Sequence, residues 1–388
     1  MKPRRYQLRK EAVGVVRRGH PWIFRDQLSS AAGVFADGQW LRLVDGDNRV
    51  IAHGFYEADG AIAIRVLRRG AEPYDAAHAR ATLAAAVARR RPIGERTDAI
   101  RLVHGESDGI PAVVVDRFGD VLVVASYSPG ADALARYVAR TLPALGEPLV
   151  GAARTMVLRP ARRRRGTAEP QRVLRGDAIA IAPIREDGHV YAVDLEAGHK
   201  TGTYLDLRGL RRDVAAMPLA GARVLNLFAY TGMLGRAAEV AGAAHIASVD
   251  QSARALAFAS AHHVIDARKH ELVEADVFAW IHTATFAAPF ELVIVDPPAM
   301  TSQKSQVGAV LAAYKKLYAA AARHVRPGGA LVAACCTSRV ERAVFHRTVA
   351  GALGAEFTRE CELPVEIDHP VGFPEADYLK IAIYRRAP

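Results

Sequence analysis

Four apolar runs in the C-terminal half, near residues 223–228, 245–249, 291–295 and 329–334, are separated in most intervals by helical stretches. Short continuous apolar runs mark strands buried on both faces, and strands alternating with helices mark a parallel sheet covered on both sides. After Val193 the chain therefore reads as a wound α/β sheet. Ligands of such sheets bind at the carboxyl ends of the strands, where a crevice opens and the next helix offers unpaired N–H groups. The residues that follow each run are thus the ones to read for chemistry.

Val224-Leu225 leads into Asn226-Leu227-Phe228-Ala229-Tyr230-Thr231-Gly232, followed by a helical stretch from Met233 to Ala241. Gly232 permits close approach of a ligand to the backbone, but a lone glycine does not meet the G-x-G-x-x-G pattern of a dinucleotide pyrophosphate site. Asp250 ends the next run, Ile246 to Val249, where a carboxylate can accept both hydroxyls of a ribose. Asp276 follows Leu272 to Ala275. It is placed to face an adenine amino group, and equally to cap the helix that Val277-Phe278-Ala279-Trp280 opens. Leu292 to Val295 runs into Asp296-Pro297-Pro298, whose prolines hold the chain extended so that the acid faces the crevice. Together these residues point to a nucleoside-type ligand; on the turn alone a dehydrogenase stays open.

The rest of the chain has a different texture. Residues 1–72 hold short alternating segments, Gln39 to Val44 and Ala61 to Leu67, around the turn Asp45-Gly46-Asp47-Asn48, which reads as a small β-barrel or meander. His20-Pro21-Trp22-Ile23-Phe24 is an aromatic cluster that could stack bases, with Trp22 and Phe24 read as core. An Ala-rich helical stretch over 76–91 is closed by Pro92. Residues 73–192 form a mixed α+β unit, with strands at Ala112 to Val115 and Val121 to Ala125 and a helix near Ala131 to Leu142.

With 388 residues, two or three folding units are expected, and the changes of texture divide the chain at 72/73 and 192/193. No apolar run approaches the roughly 20 residues of a membrane-spanning helix, and the basic N-terminal stretch lacks the apolar core of a secretory signal, so a soluble cytoplasmic protein is expected. Three cysteines form neither a disulfide framework nor a metal set, which leaves each free or catalytic. A net charge of +11 and a pI near 9.8 fit a polyanionic partner, although Arg and Ala enrichment also reads as genome composition. The run Arg162, Arg163, Arg164, Arg165 reads as a solvated loop or as a phosphate contact.

The motifs NLFAYTG, SVD, AD and DPP, in this order and spacing, resemble class I methyltransferases that use S-adenosylmethionine (SAM). Four further motifs narrow the resemblance: RRGHPWIFRDQL (Arg17 to Leu28), ESDGIPAVVVDRFGD (Glu106 to Asp120), EAGHKTGTYLDLR (Glu196 to Arg208) and DHPVGFPEADYLK (Asp368 to Lys380). They resemble the bacterial large-subunit ribosomal RNA cytosine-5 methyltransferases with an N-terminal PUA domain, over nearly the whole chain. The resemblance implies a multidomain α/β protein: a PUA barrel over 1–72, a central α+β domain over 73–192 and a Rossmann-like methyltransferase domain over 193–388. It also implies a SAM site made of Asn226, Phe228, Tyr230, Thr231, Gly232, Asp250, Asp276 and Asp296. Lys200, Thr201 and Tyr204, with His199 and Asp206, would cover the methionine end, although loop capping also accounts for them.

Carbon 5 of cytosine is too weak a nucleophile to take a methyl unaided. Addition of a thiolate to carbon 6 makes it an enamine, and loss of the carbon 5 proton later expels the thiolate. Cys335 and Cys336 follow the apolar run Ala330 to Ala334 and so emerge at the crevice edge that carries Asp296. Aligning Gly328-Gly329 with the family's Gly-Gly puts Cys336 on the nucleophile; a buried structural thiol is the competing reading. Asp296 would hydrogen-bond the cytosine N3 or its amine. The family continues DPP with Lys and an aromatic, where this chain has Ala299 and Met300, while Lys304 and Ser305 match. Arg17, Arg18, the arginine run and Lys304 are the candidate RNA contacts, large-subunit ribosomal RNA is the expected partner, no membrane is, and a homodimer is left open. Methylation of guanine or uracil, or a catalytically silent assembly factor, are the other readings.

Overall fold

A computed structural model describes residues 3–29, 35–161, 171–301 and 303–388. The chain divides into two compact units, Met1–Leu205 with Ile367–Pro374, and Asp206–Glu366 with Glu375–Pro388.

The first unit opens with a five-stranded sheet of Arg4–Gln7, Trp40–Val44, Val50–Tyr56, Ile62–Arg69 and Trp22–Phe24, in that spatial order. The helix Lys10–Arg17 buries Ala12, Val13 and Val16. This helix departs from the all-β reading of the segment. Gly14 and three valines make KEAVGVVR a poor helix former, so burial of its apolar stripe decides the outcome. Trp22 and Phe24 also differ from expectation, since both are only half-buried while Ile23 between them is fully buried. Alternation along the strand sends Ile23 to the core and both aromatics to the other face. There Trp22 meets Phe373 edge-on at 4.7 Å and donates its indole N–H to Glu106 at 2.8 Å.

A second sheet in this unit has the order Arg172–Arg175, Thr155–Arg159, Val121–Ser126, Val113–Phe118, Ala99–His104. The helices Ala76–Arg89 and Asp132–Thr141 share its core through Leu83, Val87, Val113, Val115, Leu134 and Val138. Asp75 caps the first helix by accepting the His78 N–H at 2.8 Å. This unit also holds a buried charge network, part of it on the sheet itself. Arg90, fully buried, donates to both carboxylate oxygens of Asp108, and Arg101 does the same to Asp116. Asp368, from the segment that returns to this unit, accepts the Arg101 backbone N–H at 3.0 Å.

The second unit is built on one seven-stranded sheet. Its strands are β1 (Arg223–Leu227), β2 (His245–Asp250), β3 (His270–Glu274), β4 (Phe290–Val295), β5 (Val325–Cys335), β6 (Phe357–Glu362) and β7 (Lys380–Arg386). They lie in the order β3-β2-β1-β4-β5-β7-β6, parallel from β3 to β5 and antiparallel at β5–β7 and β7–β6. The helices are α1 (Arg208–Ala216), α2 (Met233–Val240), α3 (Ala253–His262), α4 (Val277–Trp280), α5 (Val307–Ala322) and α6 (Arg342–Leu353). The order reverses at β1/β4, and the crevice at the carboxyl ends of those strands is the ligand position of such a sheet.

Candidate functional site

The turn that leaves β1 is held in a costly shape. Phe228 and Tyr230 have φ of 59° and 48°, and Gly232 has 77°. Two non-glycine residues in the left-handed region cost on the order of 1–3 kcal/mol each, which persists only where neighbours dictate it. They do so here. Asp250 Oδ2, at the end of β2, accepts the Tyr230 N–H at 2.8 Å, and Ala229 N–H reaches Val249 O at 3.0 Å. His263 Nδ1 donates to Thr231 O, and burial lowers its pKa to about 4, so the imidazole stays neutral. Phe228 sets its ring edge-on to Phe278 at 5.1 Å. A Cβ on Gly232 would lie 2.8 Å from Ala259 Cβ, so both space and φ require glycine.

Asp250 spends one lone pair on each of two backbone donors, Tyr230 N–H and Ser252 N–H, and its remaining lone pairs are enough for a pair of hydroxyls. Asp276 is exposed and caps α4 by accepting Phe278 N–H at 3.0 Å. Asn226, 1% exposed, leaves its Oδ1 without a hydrogen-bond partner among the described residues. An unpaired buried amide oxygen is uncommon. Together with the strained turn and the spare lone pairs of Asp250, it fits a crevice shaped for a polar nucleoside ligand.

The second cluster lies at the ends of β4 and β5. Asp296, half-buried, has its pKa raised to about 7, first by burial and then by the negative charge of Asp206. Asp206 accepts the Tyr378 hydroxyl at 2.6 Å. The sequence reading grouped Asp206 with the cofactor loop; the structure sets it beside Asp296. Cys335 is fully buried in the core, with Tyr314 OH at 3.5 Å, whereas Cys336 is half-buried with its Sγ 3.7 Å from Pro297 O. Thr337 ties the edge together, since its Oγ1 accepts Met300 N–H at 3.2 Å and bonds Tyr314 OH at 2.8 Å. Of the two residues that depart from the family pattern, Ala299 is exposed and Met300 packs on the core.

Lys200, Thr201 and Tyr204 belong to the first unit. Lys200 is exposed with φ 57°, and Tyr204 OH pairs with His199 Nδ1 at 3.1 Å. Thr201 is fully buried and donates its hydroxyl to Asp116, so it serves the loop's shape. Gly198 and Gly202 approach so closely that a Cβ on Gly198 would lie 2.4 Å from Gly202 O. Among the RNA candidates, Arg18 and Lys304 are exposed, and Arg17 pairs with Asp45 at 3.1 Å while staying mostly exposed. Arg162, Arg163, Arg164 and Arg165 lie outside the described residues. Among the described residues, no helix is long and apolar enough to cross a membrane. Lys380, the last residue of DHPVGFPEADYLK, lies at the edge that Thr337 ties together, without any local sequence signal for a site role: its Nζ donates to Thr337 O at 3.0 Å.

Residues 100–383 match the family of S-adenosylmethionine-dependent methyltransferases, and residues 7–69 match the PUA-like domain. The chain belongs to this methyltransferase family, and SAM is its cofactor. It is 31% identical over 398 residues to a ribosomal RNA large subunit methyltransferase of Deinococcus radiodurans, covering 97% of this chain and 96% of the relative. It is 33% identical to ribosomal RNA large subunit methyltransferase I of Shewanella denitrificans, covering 95% and 96%. Its fold is similar to that of a Streptococcus mutans protein described as a SAM-dependent methyltransferase, with TM-score 0.82, 20% identity, and coverage of 98% and 100%. A further methyltransferase structure, complexed with SAH, has TM-score 0.83 at 20% identity.

Proposed function

We propose that this enzyme methylates carbon 5 of a cytosine in large-subunit ribosomal RNA through a covalent adduct with Cys336. The substrate class rests on relatives that span almost the entire chain and are named as large-subunit ribosomal RNA methyltransferases. The observation that carries the chemistry is the contrast between the adjacent cysteines. Cys335 is sealed in the core, while Cys336 reaches the edge next to Pro297, one residue from Asp296.

Asn226, Phe228, Tyr230, Thr231, Gly232, Asp250 and Asp276 would hold SAM, with Asp250 on the ribose hydroxyls and Asp296 at the reacting end. Lys200 and Tyr204 are assigned to the methionine end, and Thr201 to the folding of their loop. When bound, SAM supplies an electrophilic methyl group on a sulfonium. Cys336 thiolate adds to carbon 6 of the cytosine, and the electron pair released toward the ring is met by a proton at N3. A carboxyl group with a pKa of about 7 is still substantially protonated at neutral pH, so Asp296 can donate that proton, and Asp206 helps keep it there. After carbon 5 is methylated, loss of its proton restores the ring and releases Cys336.

Arg17, Arg18 and Lys304 are assigned to phosphate contacts. An open pocket in the first unit is lined by Arg9, Lys10, Arg17 and Arg49 together with Asp45 and Asp47, which pair with Arg17 and Arg49 and leave Arg9 and Lys10 as its further candidate phosphate contacts. This reading keeps the three-domain division at 72/73 and 192/193. The test is mass spectrometry of nucleosides from unmethylated large-subunit RNA treated with enzyme and labelled SAM. 5-Methylcytidine is expected and should vanish with Cys336→Ala; labelled methyluridine or methylguanosine would overturn the assignment.

A further inference from the structure

Lys380 begins β7 directly across from Cys335 in the β5–β7 register and is 1% exposed. Its Nζ donates to Thr337 O at 3.0 Å and to Tyr378 O at 2.9 Å, both neutral carbonyls. Among the described residues it makes no ion pair. A buried ammonium without an anion is costly, and such charges are normally paired. Asp377, the nearby carboxylate, is engaged by Arg342. The other ionisable groups that act on Lys380 are the Arg342 cation and the thiols of Cys335, the stronger of the two, and Cys336.

We propose that Lys380 is a positioning residue whose ammonium steadies Cys336 as a thiolate, the missing anion of this buried charge. Its bond to Thr337 O fixes the cation on the residue that follows Cys336, and Tyr314, bonded to Thr337 Oγ1, closes the other side. A lysine beside a cysteine favours the thiolate, the form that attacks carbon. Cys335, the last residue of β5, is sealed in the core, so the beneficiary open to a substrate is the half-buried Cys336. The electrostatics agree in direction: burial pushes the Lys380 pKa down and Arg342 adds to that, while Cys335, Asp377 and then Cys336 push it back up. The inference rests on the nucleophile role given to Cys336 above.

The test needs neither RNA nor methyl transfer. In a Cys361→Ser background, Cys336 is alkylated with iodoacetamide from pH 5 to 10, and the modified peptide is quantified by mass spectrometry. The native enzyme should half-ionise Cys336 at least about one pH unit below the roughly 8.5 of a free thiol. Lys380→Gln should raise that midpoint and slow alkylation at pH 7 by about tenfold for every pH unit the midpoint climbs, while Lys380→Arg restores it. An identical profile in Lys380→Gln overturns the proposal. Should that variant fail to fold, a midpoint at or above the free-thiol value in the native enzyme overturns it as well. If 5-methylcytidine forms while the thiol ignores Lys380, only this inference fails; a Lys380-dependent thiol with a different product sinks the cytosine reading alone.

Discussion

Asp296→Asn should make the protein inactive yet more stable, and the gain should depend on pH in a defined window. The folded state raises the Asp296 pKa from 3.8 to about 7, so it holds a proton that the unfolded chain has released. A raised pKa contributes stability that is present below the unfolded value and is lost as pH rises through the folded one. The loss therefore runs from about pH 4 to pH 7 and is complete above that. Each pH unit is worth about 1.4 kcal/mol, so the interval between pH 5 and 7 sets a ceiling of about 3 kcal/mol. Water reaching the half-buried carboxyl lowers this, and about 1–3 kcal/mol is expected. Asparagine cannot ionise and removes the slope. Urea unfolding of both proteins at pH 5 and pH 8 supplies the double difference, in which contacts that do not depend on pH cancel. The variant's advantage must grow toward pH 8. An advantage that stays constant, or shrinks, would refute a neutral Asp296 as the proton donor.

Asp206→Asn removes the carboxylate that helps keep Asp296 protonated, so the alkaline limb of the kcat–pH profile should move to lower pH, as read by methyl transfer from pH 6 to 9. Gly232→Ala meets both the φ of 77° and the 2.8 Å contact with Ala259, and should cost about 1–3 kcal/mol with SAM affinity reduced in calorimetry. Asp108→Ala strands the fully buried Arg90 and should cost about 3–5 kcal/mol by denaturation. Cys335→Ala should retain most methyl transfer, in contrast to Cys336→Ala, because only a core contact is lost.

The strands that carry the site were legible because a parallel strand buried on both faces must be apolar throughout. Thus the runs that carry Asn226 and lead to Asp250 and Asp296 announce both the sheet and the carboxyl edge where its ligands are expected. Asp276 shows the limit of such reading: one acidic residue before a helix serves capping and ligand binding alike, and here the cap is realised. The helix Lys10–Arg17 was hidden because its valines favour strands locally and only burial makes them helical. Contacts between distant segments left no local trace. The Lys380 bond to Thr337 spans 43 residues, and the charge of Asp206 reaches Asp296 from 90 residues away. Neither pairing has a period or a turn signal to announce it. The choice between Cys335 and Cys336 rested on alignment in the sequence; the burial of Cys335 now supplies a physical ground for the same choice.

The covalent adduct can be trapped directly. With 5-fluorocytosine placed in the substrate RNA, carbon 5 has no proton to lose, so the adduct should persist once the methyl group has been transferred. The native enzyme with SAM should give a denaturation-resistant protein–RNA complex whose digested peptide carries the nucleotide on Cys336. Formation of 5-methylcytidine on ordinary RNA, with no trapped complex and with full activity in Cys336→Ala, would contradict the account.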